Sequence, residues 1–394
     1  MLKPLAIAEN IYDVGIIDWT TRDFHGYVTP RGVTYNSYLI VDDKICLIDS
    51  VKAPFTDEYI QNISEVVNPA DIDYVIVNHV EPDHSGALPK LAEVAPNAVF
   101  FITQQGKNEA IQHYGDIFNF VTVKEGDVLS LGKRELQFLP LPMLHWPDSM
   151  ATYLKEDQIL FSNDAFGQHY CTSKRFDDGV DEDVLFFEAQ KYFANILFPY
   201  AKLVEKALQK VDGLPLKMIA PSHGAIWRSH IDKIIAKYSG WGAGEKNDTL
   251  LIVYETMWGG TEKVARAMMS GAAKAGIPVK VFRLNSSDNS QIVAELLEAG
   301  GVLFGSPTLN YGMMPAMGGL LTYLKGLKPG KKLAAAFGTY GWSGGAQKDM
   351  EEFITKAGFE VQPGFNCKWK PQSGETGDAE KFGYEFAMKI KENK

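Results

Sequence analysis

"HVEPDHSG", residues 79–86, comes just after the apolar run "DYVIV" of residues 73–77. A short Val/Ile-rich run bounded by polar residues predicts a buried strand. Two imidazoles and two carboxylates then stand within six residues at the end of that strand. Crowding four such groups away from water is costly unless something positive neutralises them. A buried strand running into this loop therefore predicts a metal site at a sheet edge.

Three further stretches repeat the arrangement. "MLHWPDS" carries His145, "SNDAFGQH" carries Asp164 and "APSHG" carries His223, each where a β-like run gives way to a loop. The set His79, Glu81, Asp83, His84, His145, Asp164 and His223 suits two metals sharing a bridge better than one. The cysteines Cys46, Cys171 and Cys367 form no Cys-x-x-Cys pair, which argues against a disulfide framework and a thiolate-held iron. Four imidazoles with three carboxylates favour iron or manganese, with zinc left open. Two divalent ions, the three carboxylates and a bridging hydroxide would make the site neutral. Asp49, ending "KICLIDS", reads either as a carboxylate orienting a ligand imidazole or as a turn residue. His113, His169 and His230 read as structural or exposed.

At 394 residues the chain is longer than one core usually serves, so two domains are expected. No apolar run approaches the roughly 20 residues of a membrane helix. The start, "MLKPLAIAENIYDVG", lacks the features of a secretory signal, which predicts a cytoplasmic protein. A net charge of −10 argues against nucleic acid as a partner. The charge is uneven: residues 248–394 hold 17 Lys+Arg and 15 Asp+Glu, a balance of +2, leaving 22 and 34, or −12, for residues 1–247.

The Gly-rich stretch "YSGWGAGEKNDTL", residues 238–250, predicts a boundary between domains 1–247 and 248–394. Before it, "TYNSYLIVDDKICLIDS" reads as a hairpin turning at Asp42-Asp43, "FVTVKEGDVLSLGKRELQFLPL" as punctuated strands, and "MATYLKEDQILFSND" as another hairpin. The longest helical pattern covers residues 183–211. This mixture predicts a β-sandwich with helices outside. After the boundary, the strands "TLLIVYE", "VKVFRL", "GVLFGS" and "KLAAAFG" alternate with helices over 261–275, 290–299, 314–327 and 344–357. That alternation predicts a doubly wound parallel sheet, with ligands at the carboxyl ends of its strands.

Three loops occupy those ends. In "YETMWGGTEKVA", Thr256, Met257, Trp258, Gly259, Gly260 and Thr261 form a turn into a helix, where backbone N–H groups can enclose a phosphate. Neither a Walker lysine nor Gly-x-Gly-x-x-Gly is present, which disfavours nucleoside triphosphates and dinucleotides. "GSPTLNYG" supplies Pro307, Thr308, Leu309, Asn310, Tyr311 and Gly312, and "GTYGWSGG" supplies Thr339, Tyr340, Gly341, Trp342 and Gly344. Flexible backbone with aromatic rings suits the polar edge and the face of a flat cofactor.

His-x-Glu-x-Asp-His followed by a distant His, Asp and His resembles the metallo-β-lactamase superfamily in its iron-binding variant, whose hydrolase relatives usually have His where this chain has Glu81. The three loops resemble a flavodoxin binding FMN, with Tyr311 where that family more often has Asn. A metallo-β-lactamase-like αβ/βα sandwich followed by a flavodoxin-like sheet resembles the flavodiiron proteins, or A-type flavoproteins, over essentially the whole chain. The resemblance implies that His79, Glu81 and His145 bind one iron and Asp83, His84 and His223 the other, with Asp164 bridging. It implies reduction of dioxygen to water, of nitric oxide to nitrous oxide, or of both. It further implies a head-to-tail homodimer, or a tetramer of such pairs.

Without Cys-x-x-Cys pairs there is no built-in rubredoxin, so an external donor such as rubredoxin, or a reduced deazaflavin, is expected to reduce the FMN. His25, in "RDFHGY", and Tyr192, in "KYFANI", are expected to line the pocket and donate hydrogen bonds or protons, though Tyr192 also reads as a packed helix residue. The rival readings are a zinc-dependent hydrolase with an accessory flavodoxin-like domain, and an electron carrier using FMN alone. Hydrolysis consumes no electrons, so a flavin domain would have no task in the first rival.

Overall fold

The structure, a computed structural model, describes residues 3–393. Contacts divide the chain into two compact units: residues up to Tyr192 with Lys202–Ser239, and Phe193–Ala201 with residues from Gly240 onward. The division falls inside the Gly-rich stretch, ahead of residue 247, and assigns Phe193–Ala201 to the second unit.

In the first unit, a seven-stranded sheet runs in the order Leu5–Ala8, Ile11–Asp13, Tyr38–Val41, Ile45–Ile48, Tyr74–Val77, Val99–Thr103, Phe120–Val123. A five-stranded sheet runs Val128–Ser130, Glu135–Pro140, Met150–Leu154, Ile159–Asn163, Met218–Pro221. Both expected hairpins are present, with Tyr38 opposite Ile48 and Thr152 opposite Phe161. Side chains alternate between faces along a strand. Tyr38, Ile40, Ile48 and Ile76 thus meet Leu136, Phe138, Met150 and Phe161 in one buried cluster. Each such side chain contributes about 1.5–3 kcal/mol by leaving water. The other face of the first sheet carries Leu39, Leu47, Val75 and Val77 into a second cluster, with Tyr59, Ile63, Leu88 and Leu91 from the helices outside.

The helix expected over 183–211 is broken. It runs Glu182–Tyr192, passes through a wider turn at Phe193–Leu197 and a tight one at Phe198–Tyr200, and restarts as Ala201–Val211. Pro199 has no N–H and disfavours the helical conformation in the residue before it, which accounts for the interruption. Within the second unit, Asn195 uses the break to donate to Ser290 O at 3.1 Å and accept from the Tyr323 hydroxyl at 2.8 Å.

The second unit is a parallel sheet in the order Val279–Arg283, Leu250–Tyr254, Gly301–Pro307, Leu333–Tyr340, Glu360–Val361, with Phe365–Lys368 also paired to Leu333–Tyr340. The four expected helices are Gly260–Lys274, Asn289–Glu298, Pro315–Leu327 and Ala346–Ala357. A fifth, Ser373–Glu392, packs against Gly260–Lys274 and went unread in the sequence. That packing depends on glycine. A Cβ at Gly271 would meet Glu380 O at 1.8 Å, and one at Gly383 would meet Met268 O at 2.2 Å.

Candidate active site

Four strands of the first unit deliver the ligand-type side chains. His79 follows Tyr74–Val77, after which Glu81 caps a short helical turn, Pro82–Ser85, that carries Asp83 and His84. Pro82 suits the first helical position because its missing N–H would be unpaired there. His145 follows Glu135–Pro140, Asp164 follows Ile159–Asn163 and His223 follows Met218–Pro221. These last three strands run in one direction, so their carboxyl ends share an edge.

The seven side chains converge there in two groups. Ligand atoms of His79, Glu81, His145 and Asp164 lie within 4.8 Å of one another, and so do those of Asp83, His84 and His223. Asp164 faces both. Its Oδ2 is 3.2 Å from His145 Nε2 and 3.7 Å from His79 Nε2. Its Oδ1 is 3.0 Å from His84 Nε2 and 3.5 Å from His223 Nε2. Glu81 Oε2 approaches His145 Nε2 at 3.0 Å, and Asp83 Oδ2 approaches His223 Nε2 at 3.2 Å.

Electrostatics show what the cluster lacks. Burial opposes charge on His84, yet Asp83 and Asp164 hold it protonated up to about 9; burial opposes charge on His145, yet Asp164 and Glu81 raise it to about 9 as well. Burial opposes ionisation of Asp164, but the charges of His84 and His145 hold it well below the carboxylate range. Protons on imidazoles thus stand where cations would. His79 Nε2, both Asp83 oxygens and Asp164 Oδ2 are buried without a hydrogen bond. Such orphaned donor atoms, all nitrogen and oxygen, fit a pair of iron ions.

The surrounding shell differs in part from the expectation. Asp49 is buried, but it accepts from Asn78 N at 2.7 Å, Asn78 Nδ2 at 3.1 Å and Asn163 Nδ2 at 3.3 Å. It ties two strand ends together instead of orienting an imidazole. Asp148 orients one: its two oxygens each lie 3.0 Å from His79 Nδ1, and Oδ2 also accepts from Val80 N at 2.8 Å. Thr34 O accepts from His223 Nδ1 at 2.6 Å. Asp148 stands three residues after His145 in a stretch already singled out, so it was the findable omission.

His25 Nε2 is 3.1 Å from Glu81 Oε1, and the Tyr192 hydroxyl donates to Asp164 Oδ1 at 2.9 Å. His113 is exposed and His230 half-buried. His169 is fully buried, its ring centroid 5.1 Å from those of both Tyr192 and His223. It belongs beside the cluster, and it ends the stretch "SNDAFGQH" that carries Asp164, so its neighbourhood was open to reading.

In the second unit, a cavity of about 710 Å³ opens at the carboxyl ends of the central strands. Thr256, Met257, Trp258, Gly260, Pro307, Thr308, Leu309, Asn310, Tyr311, Thr339, Tyr340, Gly341 and Trp342 line it, and Ser343, Trp369 and Lys370 complete the wall. Gly259, Thr261, Gly312 and Gly344 do not line it. Gly259 instead takes φ +77° where the helix Gly260–Lys274 begins, and Thr261 is buried with its hydroxyl 3.0 Å from that of Thr339. Gly312 closes a turn by exchanging hydrogen bonds with Leu309. A helix start, a wall that includes the rings of Trp258, Tyr311, Tyr340, Trp342 and Trp369, and this volume fit a flavin mononucleotide. Trp369 was missed because the strand before it, Phe365–Lys368, was not read.

Comparisons with known proteins agree with both folds. The family described as ODP family beta lactamase matches residues 33–224, and that described as Flavodoxin matches residues 252–383. The chain is 46% identical to a nitric oxide reductase of Moorella thermoacetica, over 99% of this chain and 100% of that protein. The structure is similar to the flavodiiron protein of Giardia intestinalis, with a TM-score of 0.97 at 34% identity over 100% of this chain and 98% of that one. It is also similar to rubredoxin oxygen:oxidoreductase from the anaerobe Desulfovibrio gigas, with a TM-score of 0.96 at 37% identity over 99% of each chain.

Proposed function

The chain belongs to the flavodiiron protein family, and from that premise we propose that it reduces nitric oxide to nitrous oxide, dioxygen to water, or both, at a non-haem diiron centre supplied through FMN. The observation that carries this reading is the position of Asp164, with one carboxylate oxygen toward each of two buried ligand groups. His79, Glu81 and His145 would hold one iron, Asp83, His84 and His223 the other, and Asp164 would lie between them. When bound, the iron pair supplies two electrons and open coordination positions, and reduced FMN supplies two more, which meets the demand of either gas.

The protein's own residues then bind, orient and protonate. Tyr192 keeps its proton, because burial and the neighbouring Asp164 push its pKa well above the usual tyrosine range. It therefore acts as a fixed hydrogen-bond donor beside the reacting gas. The His25 side chain is 69% exposed while its Nε2 reaches Glu81. That position suits it to bring protons from solvent to the buried site. Asp148 and the Thr34 carbonyl hold His79 and His223 in the tautomer that leaves Nε2 free for metal. In the flavin pocket, the Gly259 turn and the start of helix Gly260–Lys274 would take the phosphate, while the neighbouring rings of Trp342 and Trp369 would hold one side of the flavin ring.

Trp258 and Trp342 are 93% and 83% exposed beside that pocket, which supports covering of the flavin by a second chain in a head-to-tail dimer, alone or within a tetramer. The positive balance of residues 248–394 supports an acidic donor of the rubredoxin type, whose rate of FMN reduction should fall with ionic strength. A salt-independent rate would remove that partner. Three free, buried cysteines support a reducing, cytoplasmic setting, and among the described residues no helix is long and apolar enough to cross a membrane.

The test is steady-state consumption of nitric oxide and of oxygen with reduced rubredoxin as donor, on protein assayed for iron and flavin. Yellow protein with about two irons per chain that consumes either gas supports the proposal. Colourless, zinc-loaded protein that consumes neither would sink it.

A further inference from the structure

The flavin cavity is shaped by a buried hydroxyl group that does not line it. Ser306 stands one residue before the end of the strand Gly301–Pro307 and is 1% exposed. It pairs with Gly338 of the neighbouring strand, so closely that a Cβ on Gly338 would meet Ser306 O at 2.0 Å. From this fixed point its Oγ donates to Pro307 O at 2.8 Å and accepts from Met314 N at 2.9 Å. Met314 caps the helix Pro315–Leu327, which buries Met317, Leu320, Leu321 and Leu324. One hydroxyl thus ties the two ends of the loop 308–313, from which Thr308, Leu309, Asn310 and Tyr311 line the cavity.

The loop needs such a tie. Leu309 and Gly312 exchange backbone hydrogen bonds at 2.9 Å each, and Asn310 and Tyr311 between them take φ +49° and +68°. Tight turns of this kind suit Asn and Gly, whereas a tyrosine seldom adopts positive φ, so the turn is held by its surroundings more than by its own sequence. We propose that Ser306 is a positioning residue for the flavin ring: by closing the base of the loop it presets the backbone along the ring's polar edge before the flavin arrives, so that binding does not have to order it. The inference rests on this cavity being the flavin site. Ser306 acts through the loop, and the phosphate turn is held separately, by Gly259 N donating to Thr256 Oγ1 at 3.0 Å.

The test titrates flavin-depleted full-length protein with riboflavin and with FMN, each followed by quenching of flavin fluorescence. Riboflavin carries the ring without the phosphate. Ser306→Ala is expected to raise both dissociation constants by about tenfold and so leave their ratio unchanged, because an N–H inside the fold loses its acceptor at the ring end of the cavity only. Met314 has φ −61°, the value proline takes. Met314→Pro therefore removes the same hydrogen bond from the donor side and should have the same effect, without adding to it in the double variant. In flavin-free protein the Leu309 and Gly312 amides should exchange with deuterium faster in Ser306→Ala than in wild type. Riboflavin binding by Ser306→Ala equal to that of wild type, a loss confined to FMN, or unchanged amide exchange overturns the proposal and leaves the flavin site standing. Wild-type protein that binds neither flavin overturns the reading of the cavity and the proposal with it.

Discussion

Tyr192 donates to Asp164 at 2.9 Å from a ring that is 2% exposed, so the carboxylate facing both ligand groups has a neutral donor fixed against its Oδ1. Hydrogen bonds to charged groups contribute about 1.5–3 kcal/mol. Tyr192→Phe removes the donor with little change of shape, and turnover of either gas is expected to fall about tenfold. Because the hydroxyl does not titrate near neutrality, the pH profile should keep its shape. Reduction of the flavin by its donor should be unaffected. Steady-state gas consumption set beside stopped-flow flavin reduction checks all three, and a variant as active as wild type would reduce Tyr192 to a packing residue.

Asp148 accepts from both His79 Nδ1 and Val80 N, so it fixes ring and backbone together. Asp148→Asn keeps the size of the side chain but removes the charge that favours Nδ1–H. Metal affinity at the His79 side is expected to drop by about 10- to 100-fold, with the second metal retained more tightly. Competition titration against a chelator measures it. Loss of both metals in parallel would mean that Asp148 supports the whole loop and not one ligand.

These two side chains also show where the sequence was legible. The seven ligand-type residues stood out because each follows a β-like run and several are crowded together, a pattern that simple burial does not produce. The second unit was readable for a similar reason: buried parallel strands are nearly continuous apolar runs, and helices separate them. Asp148 could have been found, because it stands three residues after His145 in the same stretch, but its partner could not be read, because it pairs with His79 across 69 residues. Asp49 misled for a related reason. A carboxylate at a strand end looks the same whether it faces an imidazole or, as here, the Asn78 and Asn163 amides. The break at Phe193–Tyr200 escaped notice because apolar spacing continues through it, and the helix Ser373–Glu392 did so because its buried face alternates with glycine and alanine.

Trp369 lies against Gly341, where an added Cβ would meet its ring at 2.9 Å, and 6.1 Å from Trp342 between ring centroids. The two indoles form one side of the flavin cavity. An aromatic contact of this kind contributes about 0.5–1.5 kcal/mol beyond the area it buries. Trp369→Ala should therefore raise the dissociation constant for FMN by roughly tenfold, and Gly341→Val should do so by displacing the ring. Titration of apoprotein by quenching of flavin fluorescence tests both. Unchanged affinity in the two variants would place the isoalloxazine elsewhere in the cavity.

Lys332 gives a stability prediction independent of either cofactor's chemistry. Its side chain is 3% exposed, and its ammonium donates to Leu297 O at 3.0 Å and Ala299 O at 3.1 Å at the end of helix Asn289–Glu298. Burial, helped by the charge of Lys246 and opposed by Glu298, pushes its pKa down to about 7. The unfolded chain keeps the ordinary lysine value, so between about pH 7 and pH 10 it binds one more proton than the folded chain does. Folding stability therefore rises with pH across that window, by at most about 1.4 kcal/mol per pH unit from this group alone. Lys332→Met removes the titration. The difference in unfolding free energy, wild type minus variant, should increase from pH 7 to pH 9 when denaturation is followed by flavin release. Parallel curves for the two proteins would mean that the ammonium keeps its usual affinity for protons inside the fold, with the two carbonyls offsetting the whole cost of burial.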